Sequence, residues 1–267
     1  MDLGFTGSTA VVTGGSKGMG LAIAEVLAAE GASVAVMARG RDGLNAAAER
    51  IRAAGAPEVL PISVDMSDAE AIAAGFDSVR EAWGALNVLV HTIGPDAGAF
   101  DELDDDAWHA AFDLGTMSAV RSVRAALPLL RAAEWGRIVT LSAHSIQRQS
   151  PALVAYTATK AALSSVTKNL SKSLGPEGIL VNCVCPGTIV TASFTEQLRN
   201  VLGAAGFDSS DPYDVMRWVE QTYGHPCDLG RAGSPEEIAS VTAYLASRRN
   251  GYVTGATVNV DGGSDFI

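Results

Sequence analysis

The sequence predicts an α/β fold, a doubly wound parallel sheet of about seven strands with helices on both faces. Three observations carry that reading. Short β-branched apolar runs alternate with Ala-rich stretches of helical period along the whole chain. The strand candidates are apolar at successive positions, as parallel strands buried on both faces must be. A glycine-rich turn, Thr13 to Gly20, joins the first strand to the first helix.

The elements follow in order. Strands are expected over Thr9–Thr13, Ser33–Ala38, Val59–Val64, Leu86–His91, Arg137–Leu141, Leu180–Cys185 and Thr257–Val260. Between them the apolar period predicts helices over Leu21–Ala29, Asp42–Ala54, Asp68–Trp83, Asp106–Leu130, Ala155–Leu174 and Pro235–Leu245. One segment, 191–231, breaks the rhythm. Its Gly203, Gly206 and Gly224 and its polar Asp208-Ser-Ser-Asp211 predict a loop-and-helix excursion. Ligands of such sheets bind beyond the carboxyl ends of the strands, so this excursion is placed to form a lid.

Composition bounds the function. The 267 residues, 48% hydrophobic and 18% charged, suit a single domain over 1–267 with a well-buried core. Residues 1–9 lack a basic start and a long apolar run, so no signal peptide is expected, and no apolar run reaches membrane-spanning length. A net charge of −11 argues against nucleic acid and anionic membranes as partners. Three Cys, with Cys183 and Cys185 two apart in a strand, point to a reduced, cytoplasmic setting. No His/Cys cluster follows them, so no metal site is expected.

The turn reads Thr13-Gly-Gly-Ser-Lys-Gly-Met-Gly20. Gly14, Gly18 and Gly20 permit a tight turn and a close approach of backbone to a pyrophosphate, which the following helix N-terminus attracts. This is the Rossmann-like arrangement, and it makes Gly14, Ser16, Lys17, Gly18, Met19 and Gly20 candidate cofactor-binding residues. A purely structural turn is the alternative. The second strand ends at Ala38-Arg39. An acid there would bond an adenosine 2′-hydroxyl, whereas Arg39 suits a 2′-phosphate, with Lys17 as a second cation. NADP(H) is therefore expected over NAD(H), unless the two cations only solvate the surface.

Tyr156 and Lys160 lie four residues apart, on one face of an expected helix. A phenol titrates near pH 10 in water. A cation at about 4 Å, at an effective dielectric of about 20, is worth roughly 4 kcal/mol, or about three pKa units. The pair is thus expected to exchange a proton near neutral pH.

These features, with Asp65 after the third strand, Asn182, Pro186-Gly187, Arg231, Glu236-Glu-Ile-Ala239, Thr254-Gly255 and Asp261-Gly-Gly263, make the chain resemble a single-domain short-chain dehydrogenase/reductase along essentially its whole length. The resemblance implies that Asp65 and Met66 border the adenine and that Gly94 lies beside the cofactor. It implies that Tyr156 is the acid in carbonyl reduction or the base in alcohol oxidation. Lys160 would lower the phenol pKa and hold the nicotinamide ribose, while Ile189 and Thr191, after Pro186 and Gly187, would meet the carboxamide. It also implies a homo-oligomer, a tetramer or dimer, through the helices Asp106–Leu130 and Ala155–Leu174 and the last strand.

Three departures from the family pattern stand out. His91-Thr-Ile-Gly94 replaces the usual Asn-Asn-Ala-Gly, with His91 expected to be structural. The family's catalytic Asn falls on Gly115, and its substrate-polarising Ser on Ala143, thirteen residues before Tyr156. Ser142, His144 and Ser145 flank the gap, and Ser142 is taken as the candidate catalytic hydroxyl. In the 191–231 segment, Phe194, Phe207, Tyr213, Met216, Trp218 and Tyr223 either face a hydrophobic or cyclic small-molecule substrate or form the segment's own core. The expected activity is hydride transfer between NADP(H) and a carbonyl/alcohol pair. Reduction of an activated C=C bond and a catalytically impaired NADP(H)-binding sensor or scaffold are the alternatives. Against the former, family members reducing enoyl thioesters often space Tyr and Lys more widely.

Overall fold

The computed structural model describes residues 2–264; the outermost positions of the expected domain, 1 and 265–267, lie outside the described residues. Seven parallel strands form one sheet in the order β3-β2-β1-β4-β5-β6-β7. They are β1 (Thr9–Thr13), β2 (Ser33–Ala38), β3 (Val59–Ser63), β4 (Val88–His91), β5 (Gly136–Leu141), β6 (Ile179–Pro186) and β7 (Thr257–Val260). The expected strand ends shift by at most two residues, as strand ends do where the ladder stops short of the apolar run. The order reverses between β1 and β4, which opens the ligand crevice of a doubly wound sheet at the carboxyl ends of those strands.

Alternation along each strand splits the core into two layers. Ala10, Val12, Val34, Val36, Val90 and Val139 face α1 (Gly18–Ala29), α2 (Arg41–Ala54) and, in the same cluster, Ile238 and Ala243 of the helix Pro235–Ala246. Val11, Ala35, Met37, Leu89 and Ile138 face the opposite way, onto Ile72, Phe76 and Val79 of α3 (Ala69–Trp83). Burying these side chains stabilises the fold by roughly 25 cal/mol for each Å² of apolar surface removed from water. The third helix begins where Asp68 accepts from the backbone N–H groups of Glu70 and Ala71, and ends on left-handed Gly84.

The expected helix Asp106–Leu130 is interrupted. It consists of α4 (Asp105–Phe112), a π turn (Asp113–Met117) and α5 (Ser118–Ala132). Ser118 N–H pairs with Asp113 O, and the Ser118 hydroxyl caps Leu114 O. Gly115 sits in the middle of this turn, and a Cβ there would come 2.5 Å from Thr159 Oγ1 and 2.7 Å from Thr159 Cβ. Thr159 belongs to α6 (Val154–Leu174), and Thr116 Oγ1 donates to its carbonyl at 3.1 Å. The missing side chain thus allows α6 to approach the π turn closely. A Gly115→Asn variant is expected to lose about 1–3 kcal/mol by overpacking, read as a lower urea midpoint; an unchanged midpoint would show that the contact yields freely.

The 191–231 segment carries α7 (Ala192–Ala204) and α8 (Pro212–Tyr223), and α9 (Pro235–Ala246) follows it. Thr191 caps α7 by accepting from Phe194 N–H, and Asp211 caps α8 by accepting from Tyr213 N–H. Leu202, Val215, Met216, Trp218 and Val219 form a small core of their own with Cys227 and Ala232. Among the described residues, no helix is long and apolar enough to cross a membrane, and no group of His, Cys, Asp and Glu is placed to hold a metal.

Candidate active site at the carboxyl end of the sheet

Two adjoining hollows open at the strand ends. The first, about 540 Å³, is lined by Gly14, Ser16, Lys17, Gly18, Met19, Gly20, Arg39, Asp65, Met66 and Gly94. The sequence motif is therefore gathered around one space. The turn can only be built from glycine at its closest points. Gly14 has φ +74°, and a Cβ on Gly20 would fall 2.3 Å from Gly14 O. Lys17 and Arg39 are both exposed, and among the described residues neither forms a salt bridge. Asp65 accepts from Ser67 N–H and Ser67 Oγ, and those bonds hold its carboxyl below the usual range. The cradle fits a nucleotide diphosphate: bare backbone at the helix N-terminus, cations at the far end and no acid at position 38.

The second hollow, about 530 Å³, contains Tyr156, Ser142, Ala143, His144, Pro186, Gly187 and Ile189 in its walls, together with Phe194, Leu198, Trp218 and Tyr223. Met19, Thr191 and Ser193 line both hollows. Gly187 allows β6 to turn beside the C-terminal strand, since a Cβ there would lie 2.7 Å from Asp261 Cα. Of the six candidate lid side chains, Phe194, Trp218 and Tyr223 face the cleft. Met216 belongs to the segment's core, Phe207 packs against that core, and Tyr213 is exposed.

Tyr156 lines the second hollow, and Gly94, which lines the first, lies against both Tyr156 and Lys160; Lys160 itself is buried and lines neither. A Cβ on Gly94 would touch both, at 3.2 Å from Lys160 Nζ and 3.4 Å from Tyr156 Cε2. Lys160 Nζ donates to Ile93 O at 2.8 Å and Leu141 O at 2.7 Å, and stands 5.8 Å from the centre of the Tyr156 ring. The expected lowering of the phenol pKa does not hold in this structure. Burial pushes Tyr156 up to about 12 and pulls Lys160 down to about 8. The assumption of a fully charged lysine about 4 Å from the phenol oxygen left out the cost of desolvating both groups.

The Lys160 shift has a consequence for folding. The folded protein releases this proton near pH 8, whereas an unperturbed lysine keeps it to 10.5. Across that window the unfolded chain binds more protons, so stability rises with pH. Between pH 8 and 10 the wild type is expected to gain about 2 kcal/mol relative to Lys160→Met. Urea midpoints of the two proteins at both pH values check it; parallel midpoints would contradict it.

Ser142, the candidate catalytic hydroxyl, lines the cleft but turns its Oγ into the α6 contact. Its Oγ donates to Lys160 O at 2.8 Å and accepts from Ser164 Oγ at 3.0 Å, so its proton is spent inside the α6 contact. Ser145 is also turned inward and accepts from Thr157 Oγ1 at 3.1 Å. His144 remains in the cleft wall, its Nδ1 3.2 Å from Pro186 O. A carbonyl can only accept, so this nitrogen carries the proton, and a neutral ring leaves Nε2 as an acceptor. Burial favours that neutral form. His91 is structural, as its sequence position suggests: wholly buried, with Thr13 Oγ1 at 2.9 Å from Nδ1 and Ser118 Oγ at 3.1 Å from Nε2. Burial pulls its pKa to about 3.

Sequence reasoning missed Arg148 and His225, which also line the Tyr156 cleft. Neither lies in a motif; both reach the cleft from loops whose paths no period in the sequence encodes.

Fold and site together define a nucleotide-binding α/β protein whose strand-end crevice joins a phosphate-ready glycine turn to a cleft with a phenol in its wall and a buried lysine beside that phenol. The sequence pattern described as Enoyl-(Acyl carrier protein) reductase matches residues 14–265. The L-sorbose reductase of Gluconobacter frateurii, solved with NADPH and L-sorbose, superposes with a TM-score of 0.92 at 33% identity, covering 99% of this chain and 98% of its own. The NADPH-dependent reductase BacG of Bacillus subtilis is 31% identical over 96% of this chain and 97% of its own length. Dehydrogenase/reductase SDR family member 4 of Caenorhabditis elegans is 31% identical over 97% and 95%. The chain belongs to the short-chain dehydrogenase/reductase family of oxidoreductases.

Proposed function

We propose that this protein is an NADP(H)-dependent oxidoreductase acting on a carbonyl/alcohol pair, with Tyr156 exchanging the substrate proton and Lys160 holding the nucleotide ribose. The observation that carries this reading is that Tyr156 opens onto the apolar cleft while it and the buried Lys160 lie against Gly94 of the glycine-turn hollow. The nucleotide, when bound, supplies or takes the hydride. Gly14 to Gly20 bind the diphosphate, Lys17 and Arg39 the 2′-phosphate, and Asp65 and Met66 border the adenine. Pro186, Gly187, Ile189 and Thr191 shape the passage between the hollows. The NADPH of the similar L-sorbose reductase and BacG supports the cofactor assignment.

Burial keeps the Tyr156 proton in place at neutral pH, as a donor to a carbonyl oxygen requires. Ala143, where the family resemblance puts the polarising serine, offers only a methyl group. With Ser142 turned to Lys160 O and neutral His144 offering an acceptor, Tyr156 is the hydroxyl we assign to that oxygen. Phe194, Leu198, Trp218 and Tyr223 favour a hydrophobic or cyclic substrate body. The 191–231 segment acts as the lid of a single domain in a cytoplasmic homo-oligomer.

Reduction of an activated C=C bond is the second reading, favoured by the description of the matched family pattern. Oxidation of NADPH over a panel of ketones, quinones and enones separates the two readings, and tight NADPH binding with no turnover would instead favour a sensor. Arg39→Ala is expected to cut the preference for NADPH over NADH by about tenfold, the worth of one charge-assisted contact to phosphate. An unchanged preference would refute the assignment of the 2′-phosphate site.

A further inference from the structure

His144 lies just past the end of β5, next to Ala143, and both residues line the Tyr156 cleft. Its Nδ1 stands 3.2 Å from Pro186 O, and a carbonyl oxygen can only accept. Nδ1 therefore carries the ring proton, and a neutral ring keeps its free lone pair on Nε2. Burial is the largest influence on this imidazole, and it favours the neutral form, as does the Arg148 charge. The bond to Pro186 O and the Asp261 charge act the other way, and the net direction is towards neutral.

The Nε2 lone pair is open. Among the described residues no side chain or backbone N–H donates to it, and it is not one of the buried side-chain atoms left without a partner. An unpaired acceptor that is not buried meets solvent, and the space this side chain borders is the cleft. The hydroxyls near it are turned inward: Ser142 donates to Lys160 O, and Ser145 accepts from Thr157 Oγ1. The cleft wall thus holds a proton donor, Tyr156, and a proton acceptor, His144, among the apolar Phe194, Leu198 and Trp218.

A ligand that fills such a cleft matches it with the converse pattern, one acceptor and one donor. A carboxylate would set its lone pairs against that of Nε2, whereas a hydroxyl brings a proton to it. A ligand with neither would strip water from Nε2 and leave the acceptor unpaired, which weakens its binding. We propose that the substrate of this cleft is a hydroxy ketone, whose carbonyl oxygen accepts from Tyr156 and whose hydroxyl donates to His144 Nε2. The proposal deepens the oxidoreductase reading and rests on that reading's placement of the carbonyl beside Tyr156.

Calorimetric titration of the full chain in the presence of NADP⁺, which cannot reduce a ketone, tests it. The probes are 2-hydroxy-1-phenylethanone and 3-hydroxy-1-phenylpropan-1-one, each set against the ketone with a methyl group in place of the hydroxyl. At least one hydroxy ketone is expected to bind about tenfold more tightly than its methyl counterpart. The tighter of the two hydroxy ketones fixes the spacing between carbonyl and hydroxyl. The advantage collapses in His144→Phe and His144→Leu, two side chains of different shape that carry no acceptor.

Equal or undetectable binding within both pairs overturns the proposal. So does a preference that survives either substitution, since the hydroxyl would then have its partner elsewhere, such as at His225. Oxidation of NADPH with the same ketones separates this inference from the activity. Turnover of hydroxy and methyl ketones with equal binding keeps the activity and removes the His144 contact. Hydroxyl-selective binding without turnover of any ketone does the reverse.

Discussion

Tyr156→Phe is expected to lower carbonyl reduction by about 10²–10⁴-fold, the usual worth of a positioned general acid, while NADPH affinity stays close to wild type. The two outcomes separate because the residues serve different hollows. The phenol faces the apolar cleft, whereas the glycine turn, Lys17 and Arg39 line the nucleotide hollow. The substitution removes one oxygen from a ring whose neighbour, Lys160, is held independently by Ile93 O and Leu141 O. Steady-state NADPH oxidation and a fluorescence titration of bound NADPH measure the two effects. Undiminished turnover would remove Tyr156 from the proton path.

Ala143→Ser is expected to raise kcat/KM for a ketone by up to about 10²-fold, because one oxyanion donor is commonly worth 10²–10³ in rate. Ala143 lies in the cleft wall beside Tyr156, so the added hydroxyl would face the substrate, unlike that of Ser142, which is bonded to Lys160 O. The gain should appear in kcat more than in KM, since the donor acts where charge develops on the oxygen. Rates measured for both proteins on one ketone at saturating NADPH decide it. An unchanged rate would mean that another group already fills the serine's role.

The sheet and the nucleotide cradle were legible in the sequence because each rests on a local rule. Thr9–Thr13 and Ser33–Ala38 follow from apolar runs, Gly14 and Gly20 from positions that a side chain would block, and Gly18 from its left-handed backbone. The π turn at Gly115 was not legible, because its cause lies in α6: Thr159 occupies the space that a side chain would need. The direction of the Ser142 hydroxyl was equally hidden, since its partners Lys160 and Ser164 come from a helix distant in sequence. The spacing of Tyr156 and Lys160 placed the pair on one helix but gave no burial, and burial sets both pKa values. Arg148 and His225 meet only because two loops without periodicity converge on one cleft.

The most direct measurement of the central claim is deuteride transfer from NADPH dideuterated at the nicotinamide C4 to an enone such as 4-phenylbut-3-en-2-one, which offers both a carbonyl carbon and a β-carbon, with the product analysed by mass spectrometry and NMR. The account predicts one deuterium on the carbinol carbon with the wild type and a product yield cut by about 10²–10⁴-fold with Tyr156→Phe. Deuterium found only on the β-carbon of a reduced enone, or bound NADPH that labels no product at all, would contradict it.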